Sequence, residues 1–146
     1  MTYSEGAVRL VKMFEGCRLR AYQDQGSVWT IGWGHTGPDV VRGMTCTIAQ
    51  ANNWLEEDLA KVDAGLRRLV TIPLNQNQYD AVADFVFNLG LGALEHSTLL
   101  RDLNDGDFVT AALQFPLWDH VGGVVVPGLL NRRKAEMRLF NTAEAA

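Results

Sequence analysis

Apolar residues recur at helical spacing along most of this chain, and one early stretch breaks the pattern. In Ser4 to Glu15, Val8, Val11 and Phe14 mark one face of a helix; Ser4 is placed to cap it and Gly16 to end it. From Leu19 to about Cys46 the period changes. Short runs (RAYQ, VWTIGWG, MTCT) are split by Gly26, Gly32, Gly34, Gly37, Pro38 and Gly43, which predicts two or three antiparallel strands. Alternation there puts Val28 and Thr30 on one face, Trp29 and Ile31 on the other. Helical spacing then resumes. Thr47 to Gln50 is a capping-box signature, followed by Ile48, Leu55, Leu59, Val62, Leu66 and Leu69 in a long helix that ends before Pro73. Asn75 to Gln78 is a weaker box, opening a run to Leu89 that is apolar on most sides. This predicts a central buried helix closed by Gly90. Shorter helices are expected from Ser97 to Asn104 and from about Asp107 to Gln114, stopping near Pro116. Gly122-Gly123 and the valines to Val126 read as a loop or short extended piece. Pro127 suits the first turn of a last helix running to Phe140. The tail NTAEAA is expected to fray.

These elements describe an α+β arrangement with its β part near the N-terminus. The expectation is one domain over 1–146: a β lobe at about 17–46, and a helical lobe at about 47–141 together with the N-terminal helix.

Composition narrows the function classes. A formal charge of −4 disfavours nucleic acid, whose binders carry a basic face. Glu5, Arg9, Lys12 and Glu15 interrupt any signal-peptide core, and no apolar run approaches the roughly 20 residues of a membrane span. A chain made in the cytoplasm without stable membrane insertion is expected. Cys17 and Cys46 lack metal-ligand spacing and read as reduced thiols. No motif suggests a metal, phosphate or redox cofactor.

The candidate chemistry lies between Glu15 and Gly37. Glu15 and Asp24 have eight residues between them, and five more separate Asp24 from Thr30. Paired carboxyl groups beside aromatic rings suit glycosidic bond cleavage, in which one acid protonates the leaving oxygen and the second carboxylate handles a water or the developing charge. From spacing alone the structural reading is favoured, each carboxylate belonging to an ion pair with a basic partner. Glu15 falls on the last turn of its helix, where a carboxylate opposes the dipole; that position suits an acid that works protonated. Gly32-Trp33-Gly34-His35-Thr36-Gly37 matches a dinucleotide fingerprint by letter. Pro38 and Asp39 follow where a helix is required, so the match is rejected. His35 reads as a structural partner of a helix carboxylate, with Asp58 the candidate. Asn131-Arg132-Arg133-Lys134 is either a solvated basic face or the source of an arginine that reaches Glu15 or a substrate carboxylate. Trp29, Trp33, Trp54 and Trp118 are expected mainly in the core, with one or two free to stack on a sugar.

The Glu15, Asp24, Thr30 spacing resembles that of the phage-type lysozymes, glycoside hydrolase family 24. AYQDQGSVWTIGWGHTG is similar to that family's hairpin, Pro73 to Gly90 to its central helix, and NRRKAEMRLF to its last helix. The resemblance implies a lysozyme-like fold, with a small β lobe joined by a long helix to a mainly helical lobe. It implies an endolysin muramidase that cleaves the β-1,4 bond between N-acetylmuramic acid and N-acetylglucosamine with inversion. Glu15 would be the general acid, Asp24 the carboxylate that positions or activates the water, and Thr30 its helper from the opposite side of that water. Arg132 would support the acid, and His35 would lend structural or electrostatic support. The implied protein is a monomer acting on peptidoglycan in the periplasm, released by a separate holin. A lytic transglycosylase, leaving 1,6-anhydro ends, and a non-catalytic wall-binding module are the rival readings. On an anionic wall, attraction by this acidic chain would have to be local, around Arg132 and Arg133.

Overall fold

The computed structural model of the chain describes residues 1–144. Helix α1 (Glu5–Glu15) leads into a three-stranded antiparallel sheet, β1 (Arg18–Gln23), β2 (Trp29–Gly32) and β3 (His35–Thr36), in that spatial order. The long helix α2 (Ile48–Leu69) leaves the sheet. It is followed by α3 (Gln76–Leu89), α4 (Leu91–Glu95), α5 (Thr98–Asn104) and α6 (Phe108–Gln114). A 3₁₀ turn (Phe115–Leu117), a hairpin of β4 (His120–Val121) and β5 (Val124–Val125), and α7 (Pro127–Phe140) complete it. No helix among the described residues is long and apolar enough to cross a membrane.

The core is organised around α3, in which every residue from Gln78 to Val86 is buried. Both expected capping boxes form in full. Thr47 and Gln50 exchange bonds at the start of α2, and Asn75 and Gln78 at the start of α3. Val82, Phe85, Leu94, Leu99, Leu103 and Phe115 are close-packed in the helical lobe. A smaller cluster of Val11, Leu55 and Leu59 joins α1 to α2.

Several local expectations are corrected. Ser4 occupies the N-cap backbone conformation of α1, but its hydroxyl donates to Asp80 on α3, so tertiary pairing replaces the cap bond. Ile48 projects into solvent because it opens α2 ahead of the packed face; the buried stripe begins at Ala51. The segment MTCT is not a strand of the sheet. Thr45 makes an isolated bridge with Arg20, and the third strand is His35–Thr36. Val28 and Thr30 differ in burial although they share a strand face, because only Thr30 lies within the three-stranded overlap. The valine segment closes into the β4–β5 hairpin over the glycines at its tip, both with positive φ. The tail expected to fray is tied down as far as Glu144. Asn77 Nδ2 donates to Thr142 O at 3.0 Å, and the Gln76 N–H to the Glu144 carboxylate. Ala145 and Ala146 lie outside the described residues.

Candidate active site

Glu15 ends α1, and Gly16 turns the chain away with φ 64°. Glu15 Oε2 accepts from Arg132 Nη1 at 3.1 Å, and its side chain keeps 18% exposure, enough to be reached from solvent. A Cβ at Gly34 would stand 2.6 Å from the Glu15 carboxyl carbon. With φ +76° as well, this is a position only glycine fills without displacing the acid.

Asp24 sits in the turn between β1 and β2, and its carboxylate builds that turn. Oδ1 accepts from the N–H groups of Gly26 and Val28, each at 2.9 Å. Oδ2 makes no hydrogen bond among the described residues and is left to a ligand or water. Thr30 is the cross-strand partner of Tyr22, is buried, and donates from Oγ1 to Val28 O at 2.9 Å.

A cavity of about 660 Å³ brings Glu15, Asp24 and Arg132 together. Arg18, Tyr22 and Gln23 wall it on the β side; Asn88, Leu129 and the hairpin residues His120 and Val121 wall it on the helical side. That volume lies in the range of natural ligand sites. A smaller cavity of about 290 Å³, lined by Gly34, Thr36, Asp58, Lys61, Phe87 and Leu91, lies on the other side of the Glu15–Gly34 contact. Thr30 lines neither cavity, so it reaches a ligand only through a local shift or a water.

Behind Glu15 stands a buried charged cluster. Arg132 gives Nε and Nη2 to the two oxygens of Asp84, at 2.9 and 2.8 Å, while its Nη1 holds Glu15. Arg133 contacts Glu136 at 2.6 Å and donates to Asn88 Oδ1 at 2.8 Å. Arg132 and Arg133 are therefore buried and paired. The solvated basic face is not found at these two residues, nor can they attract an anionic wall from the surface. Burial raises the Glu136 carboxyl well above the usual carboxylate range, with neighbouring Asp84 adding to it. Burial opposes ionisation of Asp84 too, but the Arg132 guanidinium outweighs it and holds Asp84 low. Neither Asp84 nor Glu136 was legible as part of the site. Asp84 lies on an apolar-looking helix and Glu136 on a charge-rich one, and only the fold brings Asp84 to Arg132.

His35 stands apart from the cavity. Its Nδ1 meets Asp58 Oδ2 at 2.8 Å, as expected, and its Nε2 meets Asp39 Oδ2 at 3.0 Å. Its ring stacks on Trp54 with centroids 4.7 Å apart. Burial lowers the imidazole pKa, but the bonds to Asp39 and Asp58 more than offset this and the pKa is raised. Exposed Asp39 is correspondingly lowered by its bond from His35. Asp58 is raised, because its desolvation exceeds what the same imidazole returns. A raised folded pKa means that the stabilisation from His35 is full below its unfolded pKa, about 6.5. It is lost as pH rises through the folded value. Asp58→Asn is expected to lower the His35 pKa, followed by NMR of the ring protons; an unchanged titration would refute the pairing.

The tryptophans are all half-buried, none fully within the core. Trp33 donates from Nε1 to Asn52 Oδ1 at 2.9 Å, and Lys12 lies over its ring at 5.0 Å.

The phage lysozyme family model matches residues 12–136. An endolysin from Acyrthosiphon pisum secondary endosymbiont phage 1 is 44% identical over 147 residues, covering 98% of this chain and 100% of that protein. An endolysin from Salmonella phage P22 is 41% identical over 147 residues, 96% of this chain and 98% of its own. Among solved structures, the muramidase domain of SpmX from Asticaccaulis excentricus is similar at a TM-score of 0.87 and 36% identity, over 97% of this chain and 99% of that one.

Proposed function

We propose a division of labour within this cleft from the premise that the chain belongs to the phage lysozyme family. The protein is a glycoside hydrolase of the lysozyme type that cleaves peptidoglycan. Its bond is the β-1,4 link from N-acetylmuramic acid to N-acetylglucosamine. Glu15 protonates the leaving oxygen, Asp24 orients and activates a water through its uncommitted Oδ2, and Thr30 steadies that water. Reaction through a separate water inverts the anomeric carbon. Arg132 holds Glu15 in place. His35 works at a distance, locking the sheet to α2.

The observation that carries this reading is the shared cavity, with Glu15 and Asp24 on one lining and an oxygen of each without a partner among the described residues. In its biological setting the enzyme acts as a monomeric endolysin, made in the host cytoplasm and admitted to the wall from the periplasmic side by a separate holin. Lysis of the host follows from loss of the glycan strands.

Asp24→Asn tests the assignment of the second carboxylate. The amide keeps an Oδ1 acceptor for Gly26 and Val28, so the turn survives, but it cannot accept a proton from water. Reducing-end release is expected to fall by roughly 10²–10⁴-fold, the ordinary range for removing a general base. A variant with near-native turnover would remove Asp24 from the chemistry.

A further inference from the structure

The mechanism above leaves the buried carboxylate behind the acid unused. Asp84 is wholly buried on α3, at the centre of the core, where an ionised side chain needs a compelling partner. That partner is Arg132. The guanidinium presents its donors in a rigid fork. Asp84 takes Nε and Nη2 with good geometry, and the remaining arm, Nη1, points at Glu15 Oε2. Arg132 thus reaches Glu15 from α7 while α3 grips its other edge.

We propose that Asp84 is a positioning residue for the acid: it fixes the orientation of Arg132 so that Nη1 alone meets Glu15, and its negative charge offsets part of the pull of Arg132 on the Glu15 carboxylate. The second half of this assignment matters for catalysis. An uncompensated guanidinium beside Glu15 would favour the ionised form, which cannot protonate a leaving oxygen. Asp84, held on the far side of the same fork, reduces that bias without touching substrate. The inference deepens the reading of Glu15 as the acid and rests on it.

The other titratable groups around this chain of contacts are accounted for. Arg18 and Tyr22 face Glu15 from β1, Asp24 from the following turn and His120 from the hairpin. Arg133 and Glu136 flank Asp84 from α7. None of them bonds the Arg132 fork.

The test compares the native protein with Asp84→Asn, following both the pH profile of peptidoglycan cleavage and the carbon-13 titration of the Glu15 carboxyl. With the offsetting charge gone, the alkaline limb and the Glu15 midpoint should both move to lower pH. A purely structural Asp84 would lower the rate at every pH and leave both midpoints in place, which overturns the proposal. Should Asp84→Asn not fold, the native protein decides alone. The Asp84 carboxyl carbon should show a second inflection at the Glu15 midpoint, transmitted through Arg132; a flat trace across that range overturns the proposal. These readouts separate the two claims. An active Glu15→Gln would refute Glu15 as the acid while leaving the carboxyl coupling to be seen in the native spectra.

Discussion

Glu15→Gln is expected to cut reducing-end release from peptidoglycan by roughly 10²–10⁴-fold or more while the protein stays folded. Glutamine matches glutamate in size, so the Gly34 backbone that crowds this position is undisturbed. Its carbonyl oxygen can still accept from Arg132 Nη1, the one bond Glu15 makes within the cluster. The variant lacks only a carboxylic proton to give to the glycosidic oxygen. Binding of insoluble peptidoglycan should persist, because the cavity lining is unchanged. Rates from reducing-end assays, set beside circular dichroism melts, check both halves. Native turnover in a folded Glu15→Gln protein would mean that another group supplies the proton.

Arg132→Met should be among the most destabilising single substitutions in the molecule. It strips Asp84 of both its arginine donors and leaves a buried carboxylate without its partner. Breaking one side of a buried ion pair costs about 3–5 kcal/mol. At about 2–4 °C per kcal/mol for chains near this length, the melting temperature should fall on the order of 10 °C. Activity should fall as well, since Glu15 loses its anchor. Adding Asp84→Asn should recover part of the stability, because no lone charge then remains. The pH dependence has a definite sign. Asp84 has a lowered folded pKa, so its contribution is full above its unfolded value, about 3.9, and is lost as pH falls through the folded one. Thermal melts of the single and double variants near neutral pH provide the check. A single variant melting within about 2 °C of native, less than the shift expected for 1–2 kcal/mol, would show that water already reaches the pair.

What could be read before the structure was local in origin. Thr47 with Gln50, and Asn75 with Gln78, state their helix starts within a single turn of sequence, and both boxes form. Glu15 and Asp24 come to one cavity because only the short strand β1 separates the helix end from the turn. What could not be read depends on contacts between distant segments. Ser4 looks like a cap, yet its hydroxyl is spent on Asp80, far along the chain on α3. Arg132 was legible as a candidate partner of Glu15, but nothing near it in sequence announces that Asp84 completes the fork. The run of basic residues at the start of α7 has the composition of a solvated face. The fold buries Arg132 and Arg133 and leaves Lys134 outside. The hairpin at His120 to Val125 is too short for alternation to distinguish from a loop, although it walls the cavity.

The central claim is that Asp24 directs a water onto the bond Glu15 protonates, and the products record whether that water was used. Purified peptidoglycan should be digested with the native protein in heavy-oxygen water, quenched early, and the fragments analysed by mass spectrometry. The account predicts ordinary reducing muramic acid ends carrying the heavy oxygen. Unlabelled 1,6-anhydro ends would contradict it: the sugar's own hydroxyl would then have displaced the leaving group, and Asp24 would have no water to activate.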